Sequence, residues 1–87
     1  MVAVWPQILT MAQTLAELAP GQSAVVAGFR EETAMTQRIM QMGIMEGADI
    51  SVVRRAPAGD PVEVHVMGYA ISLRRAEAAL INVTNVK

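Results

Sequence analysis

The chain has no cysteine. No disulfide can staple it, and no thiolate can ligate a metal. Aromatic residues are almost as scarce: Trp5, Phe29 and Tyr69 make up 3% of the 87 residues. Charge is sparse and balanced, with a net value of −1. Nothing in that balance draws the molecule to nucleic acid or to an anionic bilayer. No apolar run approaches the roughly 20 residues that cross hydrocarbon, so direct membrane insertion is not expected. Met1 to Thr10 is apolar, yet it lacks a basic n-region and is broken by Pro6. It does not read as a secretory signal, and a cytoplasmic location is the expectation. A glycine-rich phosphate loop is missing as well. Ser23, Ser51 and Ser72 have no base-and-acid set around them, and there is a single histidine. Catalysis is therefore not expected.

What the chain does have is a core. The hydrophobic set reaches 53%, carried by Val, Ile, Leu, Ala and seven Met. The length suits one domain and is too short for two independent cores. Residues 1–13 read as an N-terminal extension, although Ile8, Met11, Leu15 and Leu18 recur at helical spacing. Residues 14–87 read as one domain. Thr14 and Glu17 form a capping-box pattern, in which the Thr hydroxyl accepts from the Glu17 amide and the carboxylate reaches back to the Thr14 amide. The spacing predicts one helical turn from Thr14, stopped by Pro20-Gly21. Gln22 to Phe29 reads as a strand, apolar on both faces at Ala24 to Ala27, with Gly28 marking a bend or bulge.

Glu32 to Met42 reads as an amphipathic helix capped at Thr33, with Met35, Ile39 and Met42 on its apolar stripe. That pattern assigns Met35 and Met42 to the core. Gly43 stops the helix. Met45-Glu46-Gly47 is a turn. Ala48 to Ala56 follows as a strand, and residues 57–61, with Gly59 between Pro57 and Pro61, signal a hairpin. Val62, Val64 and Val66 alternate with Glu63, His65 and Met67 at strand period. Tyr69, Ile71 and Leu73 share one face of the next strand. Arg74 to Leu80 contains one helical turn, and a last strand starts at Ile81 and ends near Val86. The fold class expected is mainly β: a small SH3-like barrel of about five strands, with one α-helix inserted after the first strand and a short N-terminal helix. Curling hides the edges that an open sheet would leave. An OB-fold is the structural competitor.

Several pieces recur in a fixed order: Leu15-x-x-Leu18-x-Pro20-Gly21, then Arg38-x-x-x-Met42-Gly43-Ile44-x-x-Gly47. Val52-Val53-Arg54-Arg55-Ala56-Pro57, Gly59-Asp60-Pro61, Gly68 and Ser72-Leu73-Arg74-Arg75-x-Glu77-Ala78 follow. Together, over residues 14–84, they resemble the FeoA family of ferrous-iron transport accessory proteins. Met45-Glu46 stands where that family often has Thr-Pro. The resemblance implies an SH3-like barrel, a cytoplasmic site, a role in bacterial iron(II) uptake and no enzyme activity. It also implies a partner, the membrane ferrous-iron permease FeoB, met through its cytoplasmic G-protein region.

The residues add candidates of their own. Glu63 and His65 lie two apart on one strand and point to the same side, with Met67 continuing the row. Carboxylate, imidazole and thioether together suit a divalent transition metal, held weakly. The solvated face of an edge strand accounts for the same pair, since a stable site takes three or four ligands. Met40 falls off the helix stripe and Met45 sits on a turn, so both are candidates for an exposed apolar contact. Gln37, Arg38 and Gln41 share that helix, while Arg54 and Arg74 are the outward members of two arginine pairs suited to an acidic partner surface. Solvated pairing of these arginines to Asp49, Asp60 or Glu77 explains them equally well. The partner-binding set is thus Gln37, Arg38, Met40, Gln41, Met45, Arg54 and Arg74. An oligomer is compatible with it.

The alternative is an SH3-like regulatory or metal-binding module, similar to the C-terminal domain of iron-dependent repressors. Those domains accompany a DNA-binding helix-turn-helix, which is not expected before residue 14. Nucleic-acid binding is not expected either, because three aromatics are poor provision for base stacking.

Overall fold

The computed structural model describes residues 13–87. The expected extension 1–13, and with it the helical spacing of Ile8 and Met11, lies outside the described residues except for Gln13. After a 3-10 turn at Leu15–Glu17, the order is β1 (Ser23–Phe29), α1 (Ala34–Gln41), β2 (Asp49–Arg55), β3 (Val62–Val66), β4 (Tyr69–Leu73), α2 (Arg75–Ala78) and β5 (Ile81–Thr84). The strands form one five-stranded sheet in the order β4-β3-β2-β1-β5. Every pairing in it is antiparallel.

Alternation builds the core. Ile50 and Val52 on β2, Val62, Val64 and Val66 on β3, and Ile81 and Val83 on β5 turn inward and are buried. Leu15 and Leu18 close one side, and Ile39 and Ile44 another, within the same cluster. Each such side chain contributes about 1.5–3 kcal/mol of burial. β1 is less symmetrical than its sequence suggests: Ala24 and Val26 are buried, while Ala27 is exposed. Strand alternation places Ala27 on the face opposite Ala24 and Val26, and a bulge between Val26 and Gly28 then shifts the pairing with β5, where Gly28 takes a φ of +150°. A second bulge, between Val52 and Arg54, had no glycine to announce it. It leaves Val53 and Arg54 exposed and turns Arg55 toward the 3-10 turn. There the Arg55 guanidinium donates to the Ala16 carbonyl at 2.6 Å and to the Leu18 carbonyl.

Both helix starts carry side-chain caps. Thr33 accepts from the Thr36 amide at 3.3 Å, and the Thr36 hydroxyl accepts from the Thr33 amide at 2.9 Å. The 3-10 turn keeps only half of its expected box. The Glu17 carboxylate takes the Thr14 amide at 3.4 Å, and the Thr14 hydroxyl donates to that carboxylate at 3.3 Å instead of capping the Glu17 amide.

The stripe of α1 is rotated from the one expected. Met35 and Met42 are 38% and 39% exposed, not core. Thr36 and Ile39 are fully buried and Met40 is half-buried. A threonine can occupy the core side because its hydroxyl is satisfied locally, also donating to the Thr33 carbonyl at 3.0 Å. The helix ends at Gln41 with Met42 as its C-cap, and Gly43 follows with φ +101°, a left-handed stop that a side chain would strain. Among the described residues no helix is long and apolar enough to cross a membrane.

Candidate partner-binding surface

One carboxylate organises the end of the molecule where α1, α2 and the end of β4 meet. Glu77 is 7% exposed. Its Oε1 accepts from the Arg74 amide at 2.8 Å, capping α2. Its Oε2 accepts from the Arg38 guanidinium at 3.3 Å. The two candidate arginines, one from a helix and one from the end of a strand, are thereby drawn to a single group. The Arg38 head stays 67% exposed even so. Gln37 and Gln41 are exposed on the same helix.

Arg54 sits one step away. It donates to Glu63 at 2.9 Å, across the β2–β3 ladder. That pairing differs from the expected partners Asp49, Asp60 and Glu77. Asp60 instead accepts from the Arg75 amide at 3.0 Å. A hollow of about 310 Å³ between Arg54, Pro57, Pro61 and Ser72 adjoins a second, of about 350 Å³, lined by Asp60, Pro61, Ser72, Leu73 and Arg74. Pro61 and Ser72 line both, so the two lie side by side as a shallow trough, with Arg54 lining one and Arg74 the other. Met45 lies on the turn into β2, 56% exposed, where the Gly47 amide holds the Val26 carbonyl at 2.8 Å. Met40 is corrected here: it is half-buried, because the stripe of α1 includes its position.

The Glu63 and His65 pair is corrected in one respect. β3 lies between β2 and β4, so it is an interior strand and not an edge. His65 is exposed and faces Ser51 and Ala70 across its neighbours. Glu63 is half-buried and already engaged by Arg54, which a metal would have to displace. Among the described residues no three of His, Asp or Glu converge on a metal-sized site.

Reasoning from the sequence missed what Arg55 and Thr36 do. Arg55 acquires its role from the bulge at Val53, and Thr36 from its reciprocal bonding with Thr33. Only the Thr33-x-x-Thr36 spacing was visible beforehand.

A family model described as the FeoA domain matches residues 13–85. A Porphyromonas gingivalis protein described as an Fe(2+) transport protein A/Fe(2+) transporter FeoB fusion is 42% identical over 69 residues. That match takes in 79% of this chain but spans only 8% of the relative's length. The solution structure of a FeoA-like protein from Clostridium acetobutylicum is 37% identical, with a TM-score of 0.77 over 82% of this chain and 83% of that one. The Stenotrophomonas maltophilia FeoA, a prokaryotic SH3 domain protein solved in complex with zinc, is 28% identical. Its TM-score is 0.77, covering 86% of this chain and 95% of that one. A manganese-dependent transcriptional repressor shares the fold at a TM-score of 0.77 and 20% identity, over 83% of this chain and 36% of the repressor. The SH3-like architecture expected from the sequence is therefore the one present, and the chain belongs to the FeoA domain family.

Proposed function

We propose that this chain is a cytoplasmic accessory protein of ferrous-iron uptake that acts by binding the G-protein region of a FeoB-like permease, without catalysing a reaction. The observation that carries this is the relative in which a domain similar to this one and FeoB share a single polypeptide. Fusion holds two modules at high effective concentration, an arrangement suited to modules that work together. The surface around Arg38 and Arg74 supplies the contact. It offers the Arg38 guanidinium, which contacts Glu77, and the exposed side chain of Arg74, whose backbone amide the same carboxylate accepts from, with the exposed Met35 and Met42 beside Arg38 on α1. Arginine and methionine together suit an interface that is partly acidic and partly apolar. Binding then biases one conformation of the G-protein region.

Titrating isotope-labelled protein with the isolated G-protein region tests this directly. Amides of α1 and residues 73–78 should shift, and Arg38→Glu should weaken binding by at least about tenfold. Absence of any shift at high micromolar concentration, with and without guanine nucleotide, would overturn the proposal.

A further inference from the structure

The two edges of the sheet are treated differently. The edge of β5 is covered by the incoming chain: the Val83 amide donates to the Gln13 carbonyl at 3.0 Å, and Thr14 bridges Asn82. β4 pairs only with β3. The parity of its free groups follows from the turn. Val66 and Tyr69 pair across the two-residue loop Met67-Gly68, where φ is +53° and +83°, a type I′ geometry. The Tyr69 amide therefore faces β3, and alternation turns Ile71 and Leu73 the same way. Ala70 and Ser72 face outward. Their amides and carbonyls have no partner among the described residues.

This edge lacks most of the devices that keep edges apart. Tyr69 to Leu73 contains no proline, no charge and no bulge. The side chains at Ala70 and Ser72 are too small to shield the backbone. The most exposed large apolar side chains among the described residues, Tyr69 at 70% and Met67 at 68%, lie at its N-terminal end. At its C-terminal end lies the hollow of Asp60, Pro61, Ser72, Leu73 and Arg74. A knob at one end of a strand and a hole at the other are what a two-fold axis across that strand brings together.

We propose that the free edge of β4 pairs antiparallel with β4 of a second copy of this chain, about a two-fold axis at Ile71, each Tyr69 seating in the other copy's hollow beside Leu73. In that register Ala70 of one copy meets Ser72 of the other, twice, and all the outward groups of both residues are bonded. Tyr69 lies opposite Leu73, its ring against Pro61 and Arg74. The interface is isologous, so the same patch serves both sides. The strand has five residues, about 17 Å at ~3.4 Å each. Such a contact is smaller than the ~1,200 Å² of a standard stable interface, which makes the pairing a weak, transient one.

A concentration series on the full chain tests this by sedimentation and by amide exchange. The expected mass rises toward the dimer at millimolar concentration, with shifts confined to residues 67–74. With half the chains paired, exchange at Ala70 and Ser72 slows about two-fold, while Tyr69 and Ile71 are unchanged. Tyr69→Ser, at a largely exposed position, should abolish the effect without unfolding the chain. Ala70→Pro, which removes one outward amide, should do the same. A monomer at every concentration, shifts centred on another face, or a Tyr69→Ser variant that pairs like the parent would overturn the proposal. So would protection of Ala70 and Ser72 already at the lowest concentration, which means an intramolecular occupant. Protection seen only on adding the G-protein region would assign the edge to a strand of that partner instead.

Discussion

Replacing Glu77 by alanine should cost this protein far more than replacing its ionic partner. The carboxylate is buried and takes the Arg74 amide at 2.8 Å, a charge-assisted bond at the start of α2. Hydrogen bonds to charged groups contribute about 1.5–3 kcal/mol. The Arg38 contact is longer, 3.3 Å, and its guanidinium is mostly in water. Screened pairs of that kind contribute about 0–1 kcal/mol. Glu77→Ala is therefore expected to lose roughly 2–3 kcal/mol and Arg38→Gln less than about 1 kcal/mol. In a domain of this size each kcal/mol moves Tm by roughly 4–8 °C, so the alanine variant should melt roughly 10–20 °C lower. Glu77→Gln keeps an acceptor for the Arg74 amide and should fall between the two. Urea unfolding followed by circular dichroism gives the three free energies, and a double-mutant cycle isolates the Arg38 coupling. If Arg38→Gln costs as much as Glu77→Ala, the ion pair and not the cap holds this corner, and the reasoning fails.

The rotated stripe of α1 predicts that Ile39→Ala loses about 2–5 kcal/mol while Met35→Ala loses less than about 1 kcal/mol, measured by the same unfolding. Equal losses would restore the stripe inferred from spacing. Arg55→Met should release the carbonyls of Ala16 and Leu18, cost about 1.5–3 kcal/mol and speed amide exchange in residues 14–18 beyond the global change. Exchange that rises no more there than across the sheet would refute the tie.

The sheet was legible because its signals are local. Val62, Val64 and Val66 alternate without interruption, Gly28 sits at a bulge, and Gly43 stops a helix at the residue where spacing placed it. What was not legible depends on partners distant in sequence or on backbone choices with no marked residue. The Val53 bulge inserts a β-branched residue that fits a regular strand equally well. Met67 takes φ +53°, a conformation methionine rarely signals. Spacing proposed Met35 and Met42 for the core because it counts apolar side chains, and it cannot see that Thr33 frees Thr36 to be buried. Of the candidate surface, the residue types were readable, but the convergence of Arg38 and Arg74 on Glu77 required the packing of α1 against α2.

That convergence also determines how a binding experiment on this surface must be interpreted. Arg38 is both a candidate contact and a ligand of a buried carboxylate, so a charge reversal there removes a contact and leaves Glu77 facing a second acid. Loss of binding by Arg38→Glu alone cannot separate the two effects. Arg74 can, because only its amide touches Glu77, and its side chain is exposed. Arg74→Glu preserves the cap while reversing the charge beside the trough. Arg54→Gln removes the head that pairs with Glu63, at the trough's other end. A partner that reads this surface should respond to both substitutions while the unfolding midpoint stays within a few degrees. If only the variants that lower that midpoint weaken binding, the arginines act through the frame, and the contact lies elsewhere on the barrel.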